Sequence, residues 1–91
     1  MLFMITYKTT LPTRRAAQDL FAKTGGAPPS AGVEKIASYH YADGSGGFTI
    51  AESNDAIALG KWANQWADVI VLDVRPVLTD EQMGQVISQS T

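Results

Sequence analysis

The sequence predicts an α+β domain built as β-α-β-β-α-β with one further helix at its C-terminal end. Three observations carry that prediction. Stretches rich in β-formers alternate with stretches whose apolar residues recur at helical spacing. A glycine-rich turn joins the two middle strands directly. The 91 residues leave room for one unit, so residues 1–91 are read as a single domain.

Residues 2–8 form the first strand, with Phe3, Ile5 and Tyr7 on one face and Leu2 and Met4 on the other. A strand apolar on both faces is usually covered on both. Residues 12–23 switch to helical spacing: Pro12 suits a first turn, and Ala16, Ala17, Leu20 and Phe21 make the apolar stripe. Gly25 and Gly26, followed by Pro28 and Pro29, end that helix. Arg14 and Arg15 oppose the helix dipole at its start, so they are expected to be solvated or recruited by another element.

Residues 33–42 and 47–53 form a hairpin around Asp43-Gly44-Ser45-Gly46. A four-residue loop places Tyr41 opposite Phe48, His40 opposite Thr49 and Tyr39 opposite Ile50. Tyr39, Tyr41, Phe48 and Ile50 then share one side, and Ile36, Ser38, His40, Thr49 and Ala51 the other. Ser53 or Asn54 is the expected cap of a helix over 55–67, whose Leu59, Trp62, Ala63 and Trp66 line one face. Residues 68–78 are the fourth strand, with Ile70, Leu72 and Val74 toward the helices and Val69, Val71, Asp73 and Arg75 away from them. Pro76 assigns its end to a sheet edge or bulge. Thr79 or Asp80 caps a last short helix carrying Met83, Val86 and Ile87.

This order is the split-βαβ, or ferredoxin-like, arrangement, with a four-stranded antiparallel sheet in the order 4-1-3-2 and both main helices on one face. The helix-free face comes out too apolar for an ordinary wetted surface. A chain of this size also buries only about 60% of its unfolded surface. Both points predict a homodimer formed through the helix-free sheet face.

Composition narrows the function classes. Hydrophobic residues make up 45% and charged residues 18%, the latter below the roughly 25% of an average domain, which argues against disorder. A net charge of -2 without basic clusters argues against nucleic acid and anionic membranes as partners. The absence of cysteine excludes disulfides, thiolate nucleophiles and cysteine-ligated metals. No run approaches the ~20 apolar residues of a membrane span, and the apolar start over residues 1–5 is too short for a signal peptide. A cytoplasmic protein is the expectation.

His40 is the only histidine, which excludes a multi-histidine metal site within one subunit. It is a candidate general base or proton shuttle on the helix-free face; the bland alternative is a strand histidine satisfied by Thr49, Ser38 or a partner. Asp73 and Arg75, two apart, share a strand face and either orient a polar ligand or form an exposed ion pair worth ~0–1 kcal/mol. A His40–Asp73 dyad is mostly excluded within one subunit, because their strands are opposite edges about 14 Å apart; only contact across a dimer could join them. Trp62 and Trp66 are read as core, and Tyr39 and Tyr41 as packing residues, with Tyr7 as a possible hydrogen-bonding group. The expected ligand-binding set is therefore Ser38, Thr49, Asp73, Arg75 and Tyr7, beside His40. The glycine segments lack the following helix or the Gly-Lys-Ser/Thr ending of a phosphate loop, and the scattered carboxylates make no calcium or magnesium motif. Neither metal nor cofactor is expected.

Met1-Leu2-Phe3-Met4, the Thr24-Gly25-Gly26-Ala27-Pro28-Pro29 loop, Tyr39-His40 leading into Asp43-Gly44-Ser45-Gly46-Gly47-Phe48, Lys61-Trp62-Ala63-Asn64-Gln65-Trp66 and Val74-Arg75-Pro76-Val77-Leu78 carry a resemblance over nearly the whole chain. It is to a family of small bacterial and phage proteins catalogued as domain of unknown function 3303. The resemblance implies membership of the dimeric α/β-barrel group, which includes cofactor-free monooxygenases, isomerases, haem-binding enzymes and proteins without known activity. It transfers no activity, since fold does not imply function. The functional expectation is a small dimeric protein binding a partly apolar molecule at its sheet face. The alternatives are a cofactor-free monooxygenase- or isomerase-like enzyme using His40, and a protein-interaction or regulatory module.

Overall fold

The computed structural model describes residues 1–90. Its elements are β1 (Leu2–Thr9), α1 (Arg14–Thr24), β2 (Val33–His40), β3 (Gly46–Ser53), α2 (Ala56–Trp66), β4 (Ile70–Val77) and α3 (Asp80–Gln89). The four strands form one antiparallel sheet in the order β2-β3-β1-β4. That is the predicted order read from the other edge, and β4, which carries Pro76, is an edge strand as expected.

Strand parity decides which side chains meet the helices. Ala51 on β3 is fully buried beneath Leu59 and Trp62 of α2, with Phe3, Ile5, Val33, Trp66 and Val74 packed around them. The register pairs Phe3 with Ala51, Ile5 with Thr49 and Val74, and Tyr7 with Gly47 and Leu72. The odd-numbered residues of β1 therefore face the helices. Leu2, Met4 and Thr6 face the other way, beside Val77, Arg75 and Asp73.

The hairpin register is shifted by two residues from the expected one. Tyr39 pairs with Phe48, Ser38 with Thr49 and His40 with Gly47. The loop is residues 42–45, one residue earlier than predicted, because Asp43 closes it locally. Its carboxylate accepts hydrogen bonds from the Ser45 N–H at 2.9 Å and the Ser45 hydroxyl at 2.7 Å. Gly44 supplies the positive φ of 76°, and Tyr41 N–H bonds to Gly46 O at 2.7 Å, drawing Gly46 into the strand.

A bulge between Lys35 and Ala37 removes Ile36 from the face it was expected to share with Ser38 and His40. An extra residue reverses strand parity. Val33 and Lys35 face the helices before the bulge and Ser38 and His40 after it, while Ile36 is left 54% exposed.

The helices start where side chains can satisfy their free N–H groups. For α2 that residue is Asp55, not the expected Ser53 or Asn54. The Asp55 carboxylate accepts from Ile57 and Ala58 N–H at 3.1 and 3.0 Å. Ser53 instead holds Asp55 in place, its Oγ accepting from the Asp55 N–H at 3.0 Å and donating to Gly32 O at 2.7 Å. Pro12 lies in a turn before α1 rather than in its first turn, and Thr13 precedes the helix. Thr79 caps α3 through a reciprocal box with Gln82, at 3.2 and 2.9 Å. No residue of α3 is buried, so its Met83, Val86 and Ile87 stripe is open to solvent.

Removing the α2 cap has a defined cost. Asp55→Ala is expected to destabilise the fold by about 1 kcal/mol, read as a lower urea midpoint with an unchanged slope. Asn54→Ala leaves those two helix bonds in place. An unchanged midpoint for Asp55→Ala would show that α2 does not depend on this cap.

Candidate functional site

Helix α1 touches the sheet lightly, and that creates a cavity. Ala17 is its one buried residue. Its tethers lie at its ends: Thr13 Oγ1 donates to Val69 O at 2.8 Å, Arg14 Nη2 donates to Asp43 O, and Lys35 Nζ donates to Gly25 O at 3.2 Å. Between them lies a cavity of about 290 Å³ under α1 and α2, walled by residues of β1, β2, β3, β4 and both helices. Its apolar lining includes Ile5, Phe21, Leu59, Trp62, Trp66 and Leu72.

Four polar side chains in the lining form two pairs. Tyr7 Oη lies 2.5 Å from His40 Nδ1, and Ser38 Oγ lies 3.0 Å from Thr49 Oγ1. The first pair is an unusual reach. Tyr7 is on β1 and His40 on β2, with β3 between them, so their strand axes are about 10 Å apart. Gly47 is the β3 residue paired with both. A Cβ there would collide with the Tyr39 carbonyl oxygen and lie 2.8 Å from Tyr7 Cε1 and 2.9 Å from His40 Cα. Glycine leaves the space over which phenol and imidazole meet.

Burial raises the Tyr7 pKa above its ordinary value of 10.0, because the phenolate loses solvation. Phenol and imidazole can each donate or accept across this contact, and the imidazole tautomer sets the direction. Phe21 from α1 completes the arrangement, its ring meeting His40 edge-on at 5.0 Å between centroids. At the loop, hydrogen bonds from Ser45, then the Arg14 charge, hold the Asp43 carboxyl below its ordinary pKa.

The structure regroups the predicted site residues. His40 was expected on the helix-free face. It lines the cavity on the helix side instead, with Tyr7, Ser38 and Thr49, because this side of the hairpin also carries Ala51, which is buried with Leu59 and Trp62 of α2; His40 itself remains exposed. Asp73 and Arg75 are on the opposite face, joined by an exposed ion pair at 2.9 Å, so they are separated from His40 by the sheet as well as by its width. Phe21 and Gly47 were not singled out as site residues. With the correct register, a glycine opposite His40 and Tyr7 is the signal that would have found the pair. Among the described residues, no group of three or more His, Cys, Asp or Glu side chains converges as a metal site.

The architecture is that of a ferredoxin-like α+β protein with a ligand-sized cavity beneath its helices. Within that class the chain belongs to the family described as Domain of unknown function (DUF3303), which it matches over residues 1–91. No curated protein matches it by sequence. Among solved structures it is similar to Rv0793 from Mycobacterium tuberculosis, with 19% identity over 87% of this chain and 96% of that one and a TM-score of 0.53. It is also similar to a putative antibiotic biosynthesis monooxygenase from Nitrosomonas europaea, with 12% identity over 87% of this chain and 100% of that one and a TM-score of 0.48. A third similar structure is a mutant of MhuD with two manganese protoporphyrin IX bound per active site, with 16% identity over 88% of this chain and 97% of that one and a TM-score of 0.49. At the identity of the first, the fold is what is shared.

The Tyr7 environment is open to direct test. The folded protein holds this phenol proton more tightly than the unfolded chain does. The resulting stabilisation is present below the ordinary phenol pKa and is lost as pH rises through the raised value. Ultraviolet titration should show a late-ionising phenol that is missing from Tyr7→Phe. Gly47→Ala should push the rings apart, and nitrogen-15 correlation spectra of His40 would then lose the single tautomer. A fixed tautomer in both variants would contradict the pairing.

Proposed function

We propose that this protein binds a small, partly apolar molecule in the cavity between its sheet and helices, with His40 and Tyr7 at one polar position and Ser38 and Thr49 at another. The observation that carries the proposal is the cavity itself: close to the lower end of the roughly 300–1,000 Å³ of ordinary ligand sites, largely apolar, and holding two convergent polar pairs. Native mass spectrometry of protein purified from its own host is expected to show a bound mass of a few hundred daltons. His40→Ala should release it; a folded His40→Ala protein that keeps its full ligand complement would sink the proposal.

The 2.5 Å contact between Tyr7 and His40 favours a second, catalytic reading. A proton leaving an acidic C–H or O–H of a substrate passes to Tyr7 Oη as the tyrosine proton passes to His40 Nδ1, giving imidazolium and a substrate anion. A cofactor-free monooxygenase- or isomerase-like reaction begins with such an anion. Oxygen uptake or isomer formation abolished by both His40→Ala and Tyr7→Phe would favour it.

The helix-free face is assigned to a second copy of the chain. Val71 and Tyr39 are 57% and 62% exposed there, beside Phe48, whose ring lies 5.6 Å from that of Tyr39. Asp73 and Arg75 belong to this interface in the same proposal. No helix among the described residues is long and apolar enough to cross a membrane, and the cytoplasm is the proposed location. Val71→Asp should convert a dimer to monomer in light scattering, whereas Phe3→Asp should unfold the protein, because Phe3 packs on the core. A dimer that persists in Val71→Asp would assign this face to a different protein partner or to none.

A further inference from the structure

We infer that the cavity selects uncharged ring compounds bearing a hydroxyl or carbonyl oxygen, and rejects anions and cations of the same shape. The inference rests on the small-molecule reading above and names its ligand class. Among the described residues, no Asp, Glu, Lys or Arg contributes to the lining. Two cations beside lining glycines are hydrogen-bonded to backbone at the ends of α1: Arg14, next to Gly44, donates to the Asp43 carbonyl, and Lys35, next to Gly26, to the Gly25 carbonyl. An ion entering this space loses part of its hydration shell without an opposite charge in the lining, an unfavourable exchange.

What the lining does offer suits a neutral oxygen. The Tyr7–His40 pair shares one proton and leaves a lone pair on Tyr7 Oη whichever partner donates. The Ser38–Thr49 pair shares one hydroxyl proton and keeps the other to donate. A hydroxyl can give to the first pair, and a carbonyl or second hydroxyl can accept from the other. A carboxylate finds only uncharged donors such as the hydroxyls and the Gln18 amide, with no Lys or Arg among the described lining residues, and an ammonium finds no carboxylate to accept from it. Ser38 and His40 are two residues apart on β2, which separates the two positions by about 7 Å along the strand. One or two fused rings with oxygens at opposed ends span that distance. Rings are favoured over chains because Trp62, Trp66 and Phe21 contribute to the walls.

The test uses three probes of one shape: 2-naphthol, 2-naphthoate and 2-naphthylmethylammonium. They are titrated into the full chain by ligand-observed magnetic resonance at about pH 8, where a phenol is neutral and a carboxylate and an ammonium are charged. The naphthol is expected to bind saturably and at least about tenfold more tightly than either ion, about 1.4 kcal/mol, and to weaken in Tyr7→Phe. In Ser38→Lys, which adds the missing counter-charge, the preference should move toward the naphthoate. If either ion binds wild-type protein as tightly as the naphthol, the selectivity is overturned and the ligand-binding reading survives. If none of the three binds, both fall together.

Discussion

The helix-facing side of β3 is built from small residues, and the rest of the structure depends on it. Gly47, Thr49, Ala51 and Ser53 follow one another on that side of a central strand, all of them buried. Each allows something a larger residue would prevent. Gly47 leaves room for Tyr7 and His40 to meet across the strand. Thr49 is short enough to pair with Ser38 at the cavity wall. Ala51 lets Leu59 and Trp62 descend to the sheet and form the core, and Ser53 seats the residue that caps α2. A close-packed interior has little free space; a strip of small side chains beneath two tryptophans distributes that space unevenly, with core at one end and cavity at the other.

The two helices contribute unequally. α2 is pressed onto the sheet through the buried Leu59 and Trp62, and its Ala58 is buried beside Gly32 in the loop before β2. α1 buries Ala17 alone and is held by side-chain bonds at its ends. Segments held by few buried contacts open locally at lower free energy than packed ones. α1 is therefore the wall of the cavity that yields most readily, and Phe21, 41% exposed on that wall, stands against the His40 ring. The same sheet separates this chemistry from its opposite face, where Asp73 and Arg75 pair in solvent. Parity along the strands, more than distance along the chain, divides the polar residues between the two faces.

The architecture was legible because it rests on local signals. Alternation, helical spacing, the Asp43–Gly47 turn and the order of elements are properties of neighbouring residues, and they sufficed for the ferredoxin-like topology and the strand order. The site was legible only as a set of residue types. His40, Tyr7, Ser38 and Thr49 were all candidates, but so were Asp73 and Arg75, which lie across the sheet. The side of the sheet that the helices cover explains the difference: Ala51 and Val74 pack with α2, so the His40 side of the hairpin faces the helices and Asp73 and Arg75 face away. The Asp43–Ser45 bonds begin the loop one residue earlier, which shifts the pairing by two and exchanges Thr49 for Gly47 opposite His40.

By itself, then, the sequence determined the elements, their order and the apolar stripes of the two main helices, because secondary structure follows from periodicity and turn chemistry over a few residues. Tertiary structure alone decided which face His40 occupies, that Tyr7 reaches it over Gly47, and that a cavity remains between α1 and the sheet. Those features depend on a bulge at Ile36, on a register fixed by one side chain in a loop, and on how closely two helices approach a sheet. Each is a contact between residues far apart in the chain, where spacing along the sequence carries no information about distance in space.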